Sequence, residues 1–305
     1  MKIEEIASVH LGKAGDGSIV KLYVTPDEVD PSLLVAVPRV YNRTQYGIDE
    51  SNLPFKGKDT WNCYEFSTLM NNGFPVSGLL RIVYHADSTN IVESKSLKLY
   101  LNSYNMFRCG DTVEEVQRFV ESSIEGHLAT LLNDHWIDVS LNFEDSVLAK
   151  PIDGDFVSIE KLVDVKNLTF EHFNESPEIL VKKAQTYPVR YRSSVLRSNC
   201  RVTNQPDWGD VYVYINGEHI VTPESLLQYI VSMRCENHFH EEICECIYKR
   251  LYDLLQPEEL YVACLYTRRG GIDINPVRAT SDELIYDISP GLVDAYFNNI
   301  KTMRQ

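Results

Sequence analysis

The chain has 305 residues, enough for two domains of ordinary size, and its 44% hydrophobic and 24% charged residues are typical of a globular protein. The net charge of -15 argues against a duplex-binding surface, because phosphate contacts need clustered lysine and arginine. No apolar run is long enough for a membrane span or a signal peptide, and the seven cysteines are irregularly spaced. We therefore expect a cytoplasmic protein with reduced thiols that binds neither nucleic acid nor membrane.

We predict the order strand, strand, helix, helix, strand, strand for each half, and five of the six elements of the N-terminal half can be given bounds. The predicted elements are strands over 58–70 and 76–86, helices over 93–105 and from Thr112 onward, and a strand over 137–143. The helix from Thr112 is the best defined, because its apolar residues recur on one stripe and Thr112 with Glu115 matches a capping box. The turn cluster Asn71-Asn72-Gly73 joins the first two strands into a hairpin.

The C-terminal half repeats this order. Its predicted elements are strands near 197–203 and 211–215, a helix that begins at Thr222-Pro223, a helix over 239–255, and strands over 260–267 and 272–278. No residue-level repeat accompanies the repeated order. We predict an N-terminal module over 1–150, a linker over 151–190 and a C-terminal module over 191–305, each an α+β layer with an antiparallel sheet and paired helices on one face.

The segment Ser198–Gly209 carries the most informative chemistry. It places Cys200 seven residues before Asp207 across a compact polar turn. A thiolate is a good nucleophile for soft electrophiles, and a nearby carboxyl group can supply the proton that the attacked group takes up. A buried cysteine beside a turn aspartate is the alternative interpretation of the spacing alone.

Three further segments accompany this one: Glu93–Ser103, Phe239-His240-Glu241 and Tyr266–Gly271. Together with Ser-Asn-Cys-x6-Asp they resemble the NADPH-dependent 7-cyano-7-deazaguanine reductases, the QueF family of nitrile reductases in tRNA queuosine biosynthesis. The strings DTWNCYEFSTL, TNQPDWG and DINPVR extend the likeness to the family's long, two-module branch. The resemblance implies two tandem tunnelling-fold (ββααββ) modules, a homodimer, a small deazapurine substrate, NADPH and no metal.

The resemblance also implies roles for particular residues. Cys200 matches the cysteine that adds to the nitrile carbon to give a covalent thioimide, Asp207 the proton donor, and His240 a proton relay. Substrate contacts are implied for Val92, Glu93, Ser94, His240 and Glu241, and cofactor contacts for Ser94, Lys95, Arg269 and Gly270. Two NADPH then reduce the nitrile to the amine. As a proton donor at neutral pH, Asp207 needs a raised pKa.

Alternatives remain open at this stage. His238, His240, Cys244 and Cys246 are close enough in sequence for a zinc site, as in zinc-dependent pterin enzymes such as GTP cyclohydrolase, which share the fold. Two further alternatives are a hydrolytic enzyme that uses Cys200 and a purine-binding module without catalysis. The segment before Phe239 departs from the family's usual sequence, so we expect Cys235, Glu236 and His238 to alter packing beside the pocket.

Overall fold

The structure is a computed structural model that describes residues 28–134, 136–143, 147–185, 187–201, 204–294 and 297–299. Its strands are β1 (Ala36–Pro38), β2 (Lys56–Leu69), β3 (Pro75–His85), β4 (Asn90–Val92), β5 (Ile137–Asn142), β6 (Val147–Ala149), β7 (Val157–Ser158), β8 (Lys182–Ala184), β9 (Val189–Cys200), β10 (Pro206–Asn216), β11 (His219–Val221), β12 (Asn237–His238), β13 (Glu259–Tyr266), β14 (Ile272–Ala279) and β15 (Phe297–Asn299). Its α-helices are α1 (Val40–Tyr46), α2 (Ser94–Asn102), α3 (Val113–Leu132), α4 (Pro223–Ser232), α5 (His240–Leu255), α6 (Asp282–Ile288) and α7 (Pro290–Val293). Single-turn 3-10 helices lie at Pro31–Leu33, Ile159–Lys161, Val165–Asn167, Pro177–Ile179 and Met233–Cys235.

One sheet runs through both halves of the molecule. Its main strand order is β12-β9-β10-β13-β14-β2-β3-β5, and β7 pairs with β9 beside this path. The halves meet where β14 pairs antiparallel with β2, from Ile272 opposite Cys63 to Ala279 opposite Lys56. The two predicted modules are therefore joined by backbone hydrogen bonds as well as by side-chain packing.

The long helices cover one face of this sheet. Helices α2 and α3 enclose a core with the N-terminal strands, and α4 and α5 enclose a second core with β10 and β13. Side chains from each half also enter the other core: Phe55 lies in the C-terminal core, and Ile274 in the N-terminal one. This confirms the predicted α+β layers with paired helices on one face.

Two features go beyond the prediction. The opposite face of β13 and β14 is covered by α6 and α7, through apolar residues such as Leu284, Ile285 and Leu292. In the N-terminal half, β6 pairs in parallel with β15 instead of extending the main sheet. The N-terminal half therefore contributes three strands to the nine-stranded sheet.

Local signals explain most element ends. Thr112 caps α3, because its hydroxyl accepts a hydrogen bond from the Glu115 N–H at 3.2 Å. The Glu115 carboxylate accepts from the Asp111 N–H at 2.8 Å. The second hydrogen bond of the predicted capping box therefore involves the N–H of Asp111 and not that of Thr112. Among the described residues, no helix combines the length and the apolar character needed to cross a membrane.

Candidate active site

A tight connection between two strands brings Cys200 and Asp207 together. Cys200 is the last residue of β9, and Asp207 is the second of β10, which pairs antiparallel with β9. The Cys200 N–H donates to the Gln205 carbonyl at 2.8 Å, and Asn204 takes a left-handed φ of 54° to close the connection. The seven-residue spacing therefore corresponds to one hairpin whose two sides carry the thiol and the carboxyl group.

Asp207 is buried, with 3% of its surface exposed, and it has two charged or titratable neighbours. Arg269 forms an ion pair with its Oδ1, and His240 Nε2 lies 3.5 Å from its Oδ2. Arg269 also donates to the Gln205 side-chain oxygen at 2.8 Å. The two carboxyl oxygens of Asp207 therefore lie against a permanent cation and an imidazole, one at each oxygen.

His240 is the first residue of α5, and its ring lies flat on Tyr266. The ring centroids are 3.7 Å apart and the planes differ by 5°. Burial lowers the pKa of His240 to about 3, although the charge of Asp273 partly opposes this. At neutral pH the imidazole is therefore neutral, and among the described residues its buried Nδ1 has no hydrogen-bond partner.

Glu241 follows on the same helical turn and is 2% exposed. Burial and the nearby charge of Asp59 raise its pKa to about 8, and Arg39 and Arg278 oppose the shift only in part. Its Oε1 has no hydrogen-bond partner among the described residues. A buried carboxyl oxygen without a partner costs free energy, and a ligand with an N–H donor would remove that cost.

Helix α2 brings the N-terminal half into the pocket. Lys95 Nζ lies 3.8 Å from Cys200 Sγ, so a cation from one half stands beside the thiol of the other. Such a neighbour stabilises a thiolate. The Glu93 carboxylate caps α2 by accepting the N–H groups of Lys95 and Ser96 at 3.1 and 2.7 Å, and its contact with a substrate stays a prediction.

The loop between β13 and β14 forms another wall. Gly270 and Gly271 both have left-handed backbone, with φ of 57° and 80°. A Cβ atom on Gly271 would lie 2.4 Å from the Glu65 carboxyl group, and one on Gly270 would lie 2.8 Å from Lys98 Nζ. The left-handed backbone favours glycine at both positions, whereas the exposed Glu65 and Lys98 side chains can move away from an added Cβ atom.

These elements enclose a cavity of about 360 Å³, within the range of roughly 300–1,000 Å³ that is usual for small-molecule sites. Every site residue predicted from the sequence lines it except Glu93. Further lining residues, for which the resemblance implied no role, are Trp61, Lys98, Gln205, His238, Phe239, Thr267, Ile272 and Ile274. Since Trp61 and Ile274 are paired across β2 and β14, the floor of the cavity lies on the junction between the two halves.

The side chains considered for zinc do not converge. Cys244 Sγ lies 3.6 Å from the Val262 carbonyl and 3.5 Å from that of Pro276, against the sheet. Cys246 Sγ lies 3.6 Å from the Tyr229 hydroxyl. Within the part of the chain that the structure describes, no group of three or more histidine, cysteine or acidic side chains is arranged to hold a metal ion.

A network of buried ion pairs holds in place the helix that carries two of the pocket residues. Arg278 bonds both Asp59, at 2.8 Å, and Glu245, at 2.9 Å. Arg39 adds a 2.6 Å bond to Asp59, and Arg43 a 2.8 Å bond to Glu245. The network joins α1, β2, α5 and β14, so it fixes the helix that carries His240 and Glu241 to strands of both halves.

Fold and cavity together define a class of protein: two α+β modules that share one sheet, with a thiol, buried carboxyl groups and cations at their junction. Residues 25–133 match a family described as nitrile reductase, 7-cyano-7-deazaguanine-reductase N-term, and residues 206–284 match a family described as QueF-like protein. The chain belongs to the QueF family, which confirms the resemblance seen in the motifs. Cys200 lies between the matched ranges, and every other predicted site residue lies inside them.

A solved structure with partial similarity is described as the archaeosine synthase QueF-Like in the apo form. It is 16% identical to this chain, and the alignment covers 32% of this chain and 98% of that chain, with a TM-score of 0.28.

Proposed function

We propose that this protein is an NADPH-dependent nitrile reductase that converts 7-cyano-7-deazaguanine to 7-aminomethyl-7-deazaguanine in tRNA queuosine biosynthesis. One observation carries the proposal: a thiol, a cation, a carboxylate and a neutral imidazole share a cavity with a buried carboxyl group whose Oε1 has no hydrogen-bond partner among the described residues. The first four groups suit addition to a nitrile, and the fifth suits a guanine-like base. Membership of the QueF family supports both parts.

The first step uses Cys200 and Asp207. The ionised Asp207 takes the thiol proton, and Lys95 stabilises the resulting thiolate. Sulfur then bonds to the nitrile carbon while the same proton passes from Asp207 to the nitrile nitrogen, giving the thioimide. His240, 3.5 Å from Asp207 and neutral, can accept and return a proton at this carboxyl group.

Recognition of the base falls to Glu241. The guanine-like face offers a ring N–H and an exocyclic amine side by side, and one carboxylate can accept both. An analogue without these donors would leave the carboxyl group buried and unpaired, which predicts discrimination of about 10⁴-fold. Val92 and Ser94 line the same cavity and complete the pocket around the base.

The cofactor fits the cationic side of the cavity. Lys95, Arg269 and Gly270 line it, and the exposed Arg269 side chain can contact phosphate oxygens. NADPH supplies the hydride for each of two reductions, of the thioimide and then of the imine that forms when the thiolate leaves. We include in the proposal that the protein acts as a homodimer in the cytoplasm.

The test combines the protein with 7-cyano-7-deazaguanine and NADPH, and follows cofactor absorbance and product mass. The proposal expects two NADPH oxidised for each amine formed, and a protein adduct with the mass of the nitrile. Cys200→Ala must abolish both, whereas Cys235→Ala, which removes another cysteine outside the cavity, must leave both intact. A carboxylic acid product would indicate a hydrolase, and binding of the nitrile without an adduct would indicate a binding module.

A further inference from the structure

A second group of titratable side chains lies next to Cys200, and its central residue also lines the cavity. Its centre is His238, which is 3% exposed. His238 Nδ1 lies 3.1 Å from Glu242 Oε2, and its Nε2 lies 3.1 Å from Glu236 Oε2. The Tyr46 hydroxyl is 2.8 Å from the same Nε2, and Arg201 Nη2 is 3.4 Å from Nδ1. The proposed reaction gives none of these five residues a role.

This environment favours the imidazolium form of His238. In a neutral ring the nitrogen without a proton faces a carboxylate oxygen and can accept only from the Tyr46 hydroxyl or from Arg201, whereas the imidazolium donates to both carboxylates. Burial lowers the pKa of His238, but the bonds to Glu236 and Glu242 outweigh burial and raise it overall. The bond to His238 in turn lowers the pKa of Glu236 to about 2.

The cluster connects the nucleophile to the helix that carries the other site residues. Strand β12 pairs in parallel with the end of β9, which places His238 opposite Cys200. Arg201, the next residue after Cys200, donates to Glu242 Oε1 at 3.1 Å. Glu242 Oε2 accepts the Phe239 N–H at 2.9 Å, at the start of α5. A shift of His238 would therefore displace Cys200 and the first turn of α5 relative to one another.

We propose that His238 is a positioning residue, whose imidazolium holds the Cys200 end of β9 against the start of α5 and keeps the thiol in its reactive position. The inference rests on the proposed role of Cys200 as nucleophile. Because the pKa of folded His238 is raised, the imidazolium and its charged hydrogen bonds to Glu236 and Glu242 are present at lower pH. They are lost as the pH rises through that pKa. Deprotonation leaves two carboxylates facing a neutral ring. Arg201 and the Phe239 N–H still contact Glu242, and the Glu175 N–H still contacts Glu236.

The experiment measures the rate at which iodoacetamide alkylates Cys200 as a function of pH, by peptide mass spectrometry on the full chain. The wild-type rate is expected to rise as the thiolate forms and then to fall on the alkaline side as His238 loses its proton. His238→Gln should lower the neutral-pH rate by about tenfold to a hundredfold and remove the alkaline fall. Glu236→Gln should move that fall about one pH unit lower, because one carboxylate fewer holds the proton.

His172→Gln is the matched control, because His172 is exposed and lies outside the cavity. Its profile should equal that of the wild type. If circular dichroism shows that His238→Gln does not fold, the pH profile of Cys200 alkylation in Glu236→Gln alone tests the inference. Profiles of both cluster variants that match the wild type would overturn the inference. The readout needs neither the nitrile nor NADPH, so a failure of nitrile reduction with these shifts intact would reject the proposed function alone.

Discussion

The buried Glu241 should make the protein less stable as the pH rises. Its pKa is about 8 in the folded state against 4.5 for an ordinary glutamate, because burial and Asp59 disfavour the charged form. A group whose folded pKa is raised contributes its full stability below the unfolded pKa and loses it as the pH rises through the folded one. At about 1.4 kcal/mol per pKa unit, the loss has an upper limit of about 5 kcal/mol.

Glu241→Gln removes this titration, since glutamine is neutral at every pH. We expect the variant and the wild type to differ little in the free energy of unfolding at about pH 5, and the variant to be more stable by several kcal/mol at about pH 9. Urea denaturation at both pH values measures the two differences. Other titrating groups are common to both proteins, so the change in the difference reports on position 241. A difference that does not grow with pH would refute the argument.

The same pKa links substrate binding to proton release. If the base donates to an ionised Glu241, a Glu241 that is protonated before binding must lose its proton. With a pKa of about 8, binding at pH 7 should then release about 0.9 proton per site. Calorimetry in buffers of different ionisation enthalpy counts this proton. A Cys200→Ala background excludes the covalent step. Binding without proton release would show that the base does not meet an ionised Glu241.

Three further outcomes are expected. Gly271→Ala puts a residue with a Cβ atom at a φ of 80°, which L residues rarely adopt, so unfolding by urea should show a loss of about 1–3 kcal/mol together with weaker cofactor binding. Arg278→Met leaves Asp59 and Glu245 short of one cation each, and the same assay should show a loss of about 3 kcal/mol or more. Arg269→Leu should raise the KM for NADPH about tenfold or more in steady-state kinetics, and the KM for the nitrile by less. Equal increases in the two KM values would contradict the assignment of Arg269 to the cofactor.

The elements that the sequence predicted are those with a local signal. Helix α3 has its apolar stripe and its Thr112 cap, and α4 has Pro223 at its first position, so both begin where predicted. The start of β9 at Val189 has no such signal, because its burial pattern is set by the neighbouring strands and by β7 of the linker. Helix periodicity is local, whereas the burial of a half-covered strand depends on tertiary contacts.

The site was predictable only where a motif marks it. Cys200 and Asp207 lie in one motif, His240 and Arg269 lie in two others, and the structure brings all four residues to one cavity. Trp61 has the character of an ordinary core residue in the sequence, and its place in the cavity floor follows from the pairing of β2 with β14, about two hundred residues apart. For Glu93, a motif cannot distinguish a carboxylate that binds a ligand from one that caps a helix, because both use the same oxygens.

The uninterrupted sheet also limits how this protein could be divided during evolution or in the laboratory. A cut in the connection after β6 would give two polypeptides, each with a bare strand edge, β2 on one and β14 on the other, and each missing side chains that fill its own interior. Neither piece would contain all the residues that line the active-site cavity. Catalysis by a split version would therefore depend on fragment concentration, and its dose-response would report how tightly the two polypeptides reassociate.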